Sequence, residues 1–172
     1  AGAAGLTAGH RLQRAGITVQ IFDARPMIGG RIAELTGFAD VPLDIGAEWI
    51  HGPKNLLDRI ADQRDMNVQT INYRPQTYQS WNGSKLRKHR AADFDEAEHK
   101  FHHITWHRFF ADYIARDLNI QLNAQIRAID RDRQGVSVTL ADGRRFDGDR
   151  VLVTVPLSVL QRGIITFPTA LP

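Results

Sequence analysis

With 172 residues, of which 42% are hydrophobic and 24% charged, the chain has the size and composition of one globular domain, or of one domain with part of another. It has no cysteine, which excludes disulfides, thiolate catalysis and Cys-ligated metals and fits a cytoplasmic chain. No apolar run approaches the roughly 20 residues of a membrane span, so no membrane contact is expected; the net charge of +3 is gathered largely in Lys85-Leu86-Arg87-Lys88-His89-Arg90.

The chain opens on Ala1-Gly2-Ala3-Ala4-Gly5-Leu6. Leu6, Ala8 and Leu12 then recur at helical spacing, predicting a helix over residues 4–15 with Gly16 as its stop. Residues 17–22 read as a buried parallel strand that ends in Asp23. Gly2 and Asp23 are about 20 residues apart, as in a βαβ unit that binds a dinucleotide. In such a unit Gly2 lets the backbone approach a pyrophosphate and Gly5 lets the helix pack closely on its strand. The helix amino end offers free N–H groups and a partial positive charge. Asp23 accepts hydrogen bonds from a ribose. A complete G-x-G-x-x-G would place one more glycine and a strand ahead of Ala1, so the chain is expected to be cut within the motif. Taken alone, the partial fingerprint also fits an ordinary helix start.

Further along, Gly29-Gly30 supplies a flexible turn, and a short strand is expected over residues 40–45. A helix follows over residues 55–66, with Leu56, Leu57, Ile60 and Ala61 on one face. Residues 68–86 are strand-like, and Asn82-Gly83 predicts a hairpin that pairs 76–81 with 85–86. The basic run 85–90 reads as a solvated loop or helix start. No aromatic alternates with its charges, so no nucleic-acid partner is expected. Helices are predicted over 91–108 and 109–118, a half-buried strand over 119–129, and a second hairpin from 136–140 and 144–146 around Asp142-Gly143. The unbroken apolar run 151–155, closed by Pro156, predicts a central strand buried on both faces. His99, His103 and His107 share i,i+4 spacing, but no carboxylate completes a set, and no metal site is expected.

Phe22-Asp23-Ala24-Arg25-Pro26-Met27-Ile28-Gly29-Gly30-Arg31 resembles the L-E-A-R-x-x-x-G-G-R segment of flavin-containing amine oxidases. Asp44-Ile45-Gly46-Ala47-Glu48-Trp49-Ile50-His51-Gly52 resembles their D-x-G-A-x-W-I-H-G segment, above all that of polyamine oxidases. Ile120-Gln121-Leu122-Asn123, Gly135-Val136, Ala141-Asp142-Gly143 and Val153-Thr154-Val155-Pro156-Leu157 resemble the family's second FAD-binding block. Phe167-Pro168 and Leu171-Pro172 fit the F-x-P-x-L-P that follows it.

The resemblance implies an α/β fold: a Rossmann-type FAD-binding domain formed by residues 1–67 and 109–172, with a remnant of a substrate domain at 68–108. It implies that Gly2, Gly5 and Asp23 hold pyrophosphate and ribose, and that Ala24 and Arg25 lie along the adenosine. Gly29, Gly30 and Arg31 would lie near the pyrophosphate and flavin, and Gly46, Ala47, Glu48 and Trp49 along the isoalloxazine. Ile126 would offer its backbone to adenine. As a core aromatic Trp49 would need no ligand, and His51, a structural histidine by itself, falls near the substrate entrance on the resemblance.

The expected cofactor is FAD, and the expected substrate a small primary or secondary amine, polyamine-like, oxidised to an imine with O2 as acceptor. No catalytic residue is nameable, and oligomeric state is not legible. Relatives insert most of a substrate domain between the segments around Phe101 and Phe109, which are joined here almost directly. They also carry a lysine near the flavin and a glycine-rich segment beyond the position of Pro172. The chain is therefore expected to be a truncated, internally deleted relative. A non-catalytic nucleotide-binding module, or a flavin oxidoreductase of the desaturase or protoporphyrinogen oxidase kind, remains an alternative.

Overall fold

A computed structural model of the chain describes residues 1–51, 69–73, 77–90 and 98–168. Helix α1 (Ala3–Arg14) ends where Gly16 takes a φ of +80°, as the glycine stop predicts. It is followed by the strands β1 (Gln20–Phe22), β2 (Ile32–Leu35), β3 (Leu43–Gly46), β4 (Ile50–His51), β5 (Thr70–Tyr73), β6 (Thr77–Trp81), β7 (Leu86–Arg90) and β8 (Glu98–Phe101). A single helical turn, α2 (Trp106–Phe109), runs into a π-helical turn at Phe110–Ile114. The last elements are β9 (Asn119–Gln121), β10 (Ile126–Arg131), β11 (Val136–Leu140), β12 (Arg145–Gly148) and α3 (Leu157–Gln161). The chain divides into two compact units, residues 1–34 with 107–172, and residues 35–106. The expected boundary between 67 and 68 and the helix expected over 55–66 lie outside the described residues.

In the first unit β1 runs parallel to β9, with Ile21 opposite Ile120. Helix α1 lies over β1 so closely that a Cβ on Gly9 would come within 2.6 Å of Ile21 Cδ1, so a larger residue there would have to displace the end of the Ile21 side chain. The π-helical turn packs against α1, and Leu6, Phe110 and Ile114 on these two elements are almost wholly buried. The antiparallel strands β10, β11 and β12 form a meander. Its buried face carries Ala124, Ile129, Val138 and Leu140, joined by Ile165, with Phe22 and Phe146 at its margin. Burial of these side chains is what holds the meander to the neighbouring chain, since each fully buried Ile, Val or Leu contributes roughly 1.5–3 kcal/mol.

In the second unit β8 is the central strand of an antiparallel sheet, between β4 and β5. Phe101 and Trp106 meet edge-to-face at 5.0 Å and are both buried. The hairpin β6–β7 forms where Asn82-Gly83 predicts it: Gly83 takes a φ of +94°, and Asn82 Oδ1 accepts from the Ser84 and Lys85 N–H groups.

Four expectations need correction. The helix predicted to run to residue 108 is absent over 98–105; Glu98–Phe101 instead form β8, because a strand with neighbours on both edges gains two ladders, which outweigh helix propensity. The basic run is neither loop nor helix but the second arm of the hairpin, extended to Arg90 by pairing with Thr77. The single strand expected over 119–129 is two, β9 and β10. Asn123 turns the chain at a φ of +53°, and the two parts join different sheets.

The last correction is the largest. Residues 151–155 form no ladder among the described residues, and Val151, Leu152 and Val153 are 39%, 63% and 36% exposed. A strand buried on both faces needs a partner at each edge and a layer on each side. Here only Val155, at the apolar cluster, is partly buried; Thr154 is exposed, although its Oγ1 lies close to Gly5.

Candidate functional site

In the first unit the expected cofactor residues gather at the amino end of α1. Gly2 is the N-cap, with extended backbone and no side-chain cap, and the first turn carries no acidic residue. No side chain caps the N–H groups there, which makes the helix end receptive to an anion. Gly2 also bridges Gly29, whose N–H donates to Ala1 O at 2.9 Å. Gly29 and Gly30 take φ values of +108° and +65°. A Cβ on Gly30 would stand 3.1 Å from Gly2 Cα, and one on Gly29 would overlap Ile32 O at 2.2 Å. The two glycine turns therefore touch backbone to backbone, a close approach that side chains at these positions would fill.

Asp23 stands beside them at the end of β1, where its N–H donates to Gln121 O at 3.0 Å. Its Oδ1 accepts from the Arg25 N–H at 2.9 Å, and its Oδ2 accepts from the Ala1 ammonium at 2.5 Å. Partial burial pushes the Asp23 carboxyl upward. The hydrogen bonds and charges of the Ala1 ammonium and Arg25 outweigh that and leave it below the ordinary carboxylate value. Arg25 Nε lies 3.9 Å from Asp23 Oδ1, and Arg25 Nη2 lies 3.9 Å from where a Gly30 Cβ would be. Ala24 and Arg31 are exposed beside this cluster. Gly5, one turn into α1, would clash through a Cβ with Thr154 Oγ1 at 2.8 Å. Ile126 begins β10 and is half-buried against the apolar cluster.

Some contributors were not singled out from the sequence. The N–H groups of Asn123 and Ala124 donate to Arg25 O and Asp23 O at 3.0 and 2.8 Å, which holds the segment leading to Ile126 against the Asp23 turn. The signal available was Asn123 itself, since asparagine tolerates left-handed backbone. His107 lies against Gly29, its Cδ2 3.2 Å from where a Cβ would sit, and its Nδ1 is 3.8 Å from Glu34. Glu34 also accepts from Arg108 Nε at 2.9 Å. No spacing in the sequence announces that trio.

In the second unit Gly46, with a φ of +101°, and exposed Ala47 lead to Glu48 and Trp49. Lys100 Nζ donates to Glu48 Oε1 at 2.5 Å and lies 5.6 Å from the centre of the Trp49 ring. The Trp106 indole donates to Glu48 O at 3.0 Å, and the Trp106 N–H donates to Asp44 Oδ1 at 2.8 Å. Thus Glu48 and Trp49 are fixed by residues far away in sequence, Lys100 and Trp106. His51 Nδ1 lies 3.4 Å from Glu98 Oε1 across the β4–β8 pair. The i,i+4 histidines do not share a helical face, because His99 stands on β8 and His103 lies in the segment after it, its ring tilted against that of His102 at 3.7 Å between centres. Among the described residues no group of three or more His, Cys, Asp or Glu is arranged to hold a metal ion, and no helix is long and apolar enough to cross a membrane.

Comparison with known proteins bears on this geometry. The model of a family described as flavin containing amine oxidoreductase matches residues 3–104 and 107–172. The chain is 25% identical to lysine-specific histone demethylase 2 of Homo sapiens over 250 aligned positions, which cover 97% of this chain and 30% of that protein. It is 42% identical to polyamine oxidase 4 of Oryza sativa subsp. japonica over 59 residues, 34% of this chain and 12% of that protein. Polyamine oxidase 2 of Arabidopsis thaliana aligns at 20% identity over 258 positions, 99% of this chain and 52% of that protein. Among solved structures, wild-type putrescine oxidase bound to putrescine superposes with a TM-score of 0.77 at 15% identity, covering 99% of this chain and 59% of that one. This last likeness shows a shared fold. The chain spans less than two thirds of each of these relatives. The two long alignments exceed the chain's own 172 residues, so each relative carries, inside the matched span, residues with no counterpart here.

Proposed function

Because this chain belongs to the flavin-containing amine oxidoreductase family, whose cofactor is FAD, we propose that it carries the dinucleotide-binding part of an oxidase acting on a polyamine-like amine. The observation that carries the reading is the backbone contact of Gly2 with Gly29-Gly30 at the uncapped end of α1, beside an ionised Asp23. These residues fit the cofactor: bare backbone where a pyrophosphate approaches, a helix amino end for its charge, and a carboxylate for the ribose hydroxyls. We read β1 and β9 as strands of a Rossmann-type sheet with α1 as a helix beside it, a reading supported by the parallel β1–β9 pairing.

The chemistry that FAD supplies when bound is removal of a hydride equivalent from the carbon beside the amine nitrogen, with O2 taking the electrons to give H2O2 and an imine. The chain's own residues contribute binding and orientation. The α1 N–H groups and Gly29-Gly30 would hold the pyrophosphate, and Asp23 would accept from the ribose. Arg25 would pair with anionic oxygens, and Ile126 would meet the adenine through its backbone. The roles of Gly46, Ala47, Glu48 and Trp49 at the flavin ring, and of Arg31 near it, rest on the resemblance alone. We read the chain as an internally shortened relative, supported by the interruption of the family match at residues 105 and 106 and by the length of the two long alignments.

Competition between dinucleotides tests the assignment. A carboxylate at Asp23 favours free ribose hydroxyls and repels a 2′-phosphate. The chain should retain FAD through gel filtration and release little of it to excess NADP. Retention of NADP in preference to FAD would refute the reading.

A further inference from the structure

One ribbon of the molecule carries four cations and no carboxylate. β6 and β7 form a two-stranded sheet of their own, in the register Thr77↔Arg90, Gln79↔Lys88 and Trp81↔Leu86. Residues directly opposite share a face and successive residues alternate. One face therefore carries Thr77, Gln79, Trp81, Leu86, Lys88 and Arg90. The other face is tied together, with Ser80 Oγ and His89 Nε2 2.8 Å apart and the Tyr78 and His89 rings stacked at 4.7 Å. The first face is exposed along its whole length, Trp81 being 63% and Leu86 61% exposed.

Residues 77–90 contain Lys85, Arg87, Lys88 and Arg90 and no Asp or Glu, so this ribbon more than accounts for the chain's net charge of +3. Among the described residues, no ion pair joins any of these four cations to a carboxylate. The linear run 85–90 lacks an aromatic, which is why it reads as a solvated segment. Folding removes that objection: the Asn82-Gly83 turn sets Trp81 on the same face as Lys88 and Arg90.

We propose that this face binds single-stranded nucleic acid, with Lys88 and Arg90 on phosphates and Trp81 stacked on a base. A polyanion is the complement of a carboxylate-free basic strip whose cations form no ion pair among the described residues. An exposed indole selects a ligand with unstacked flat rings over an acidic peptide or a closed duplex. Lys88 and Arg90, two residues apart on one strand, stand roughly 6.8 Å apart along it, which lets them engage separate phosphates.

The test is fluorescence anisotropy of a labelled oligothymidylate titrated with the full chain over a series of salt concentrations. The affinity should fall with salt. Lys88→Gln/Arg90→Gln should lower the log–log salt slope by about 1.4, at about 0.7 per phosphate contact on a single strand. Trp81→Ala should weaken binding by about fivefold or more, and Trp81→Phe should restore part of it. Arg11→Gln/Arg14→Gln, at the far end of α1, should change neither quantity. Absence of binding at the lowest salt would overturn the proposal. So would equal losses from the ribbon pair and the α1 pair, an unchanged affinity in Trp81→Ala, or equally tight binding of polyglutamate.

Discussion

Asp23 receives two donors at once, the Arg25 N–H and the Ala1 ammonium, and so stays ionised although partly buried. Its folded pKa lies below the usual 3.8. Its stabilising contribution is therefore complete above about pH 3.8 and is lost as the pH falls through the lower, folded value. Asp23→Asn should flatten the acid limb of a stability–pH curve below that point and leave the neutral region little changed in slope, as urea melts at several pH values will show. Toward the cofactor, Asp23→Ala removes an ionised acceptor, an interaction of about 1.5–3 kcal/mol. Affinity for FAD should drop by roughly tenfold or more, read by isothermal titration calorimetry. The sequence spacing of Gly2 and Asp23 made this cluster legible. It did not show Asn123 and Ala124 docking on it, because that contact depends on one left-handed residue joining distant strands.

Elements whose signals are local were the legible ones. The glycine-stopped helix α1, the Asn82-Gly83 hairpin and the Asp142-Gly143 hairpin each form where turn chemistry and period place them. Elements decided by distant partners were not. β8 carries a helix-compatible sequence, yet it becomes the middle of a sheet whose neighbours lie far away in the chain. Residues 151–155 have the composition of a central strand and lack, among the described residues, the ladder that would bury them. Their exposure changes the expected cost of a charge. Val153→Asp should leave the chain folded and soluble, lowering stability by no more than about 1 kcal/mol, as exposed substitutions do. Leu140→Ala removes a side chain that is 1% exposed in the core of the meander and should cost about 2–5 kcal/mol. Urea denaturation of the two variants separates these outcomes. A Val153→Asp chain recovered only as aggregate would show that 151–155 is buried after all.

At the scale of the whole molecule, the two ends of the chain make one unit and the middle another, and the family match is interrupted at residues 105 and 106, where that middle stretch ends. The relatives carry additional residues inside the matched span. Walls that orient a substrate against a cofactor supply up to roughly 7–11 kcal/mol of a barrier, so on the proposed reading of an internally shortened chain turnover suffers far more than nucleotide binding. The chain supplemented with FAD should give no peroxide above a flavin-only blank with spermine, a monoamine or an L-amino acid. Binding should survive, and it tests the central claim most directly. Titration of FAD with the chain, followed by quenching of flavin fluorescence, should saturate in the parent and be largely lost in Gly30→Val, whose Cβ would press on Gly2 at 3.1 Å in a backbone conformation that side chains rarely adopt. A parent that leaves flavin fluorescence unchanged, or a Gly30→Val chain that binds FAD as tightly as the parent, would contradict the account.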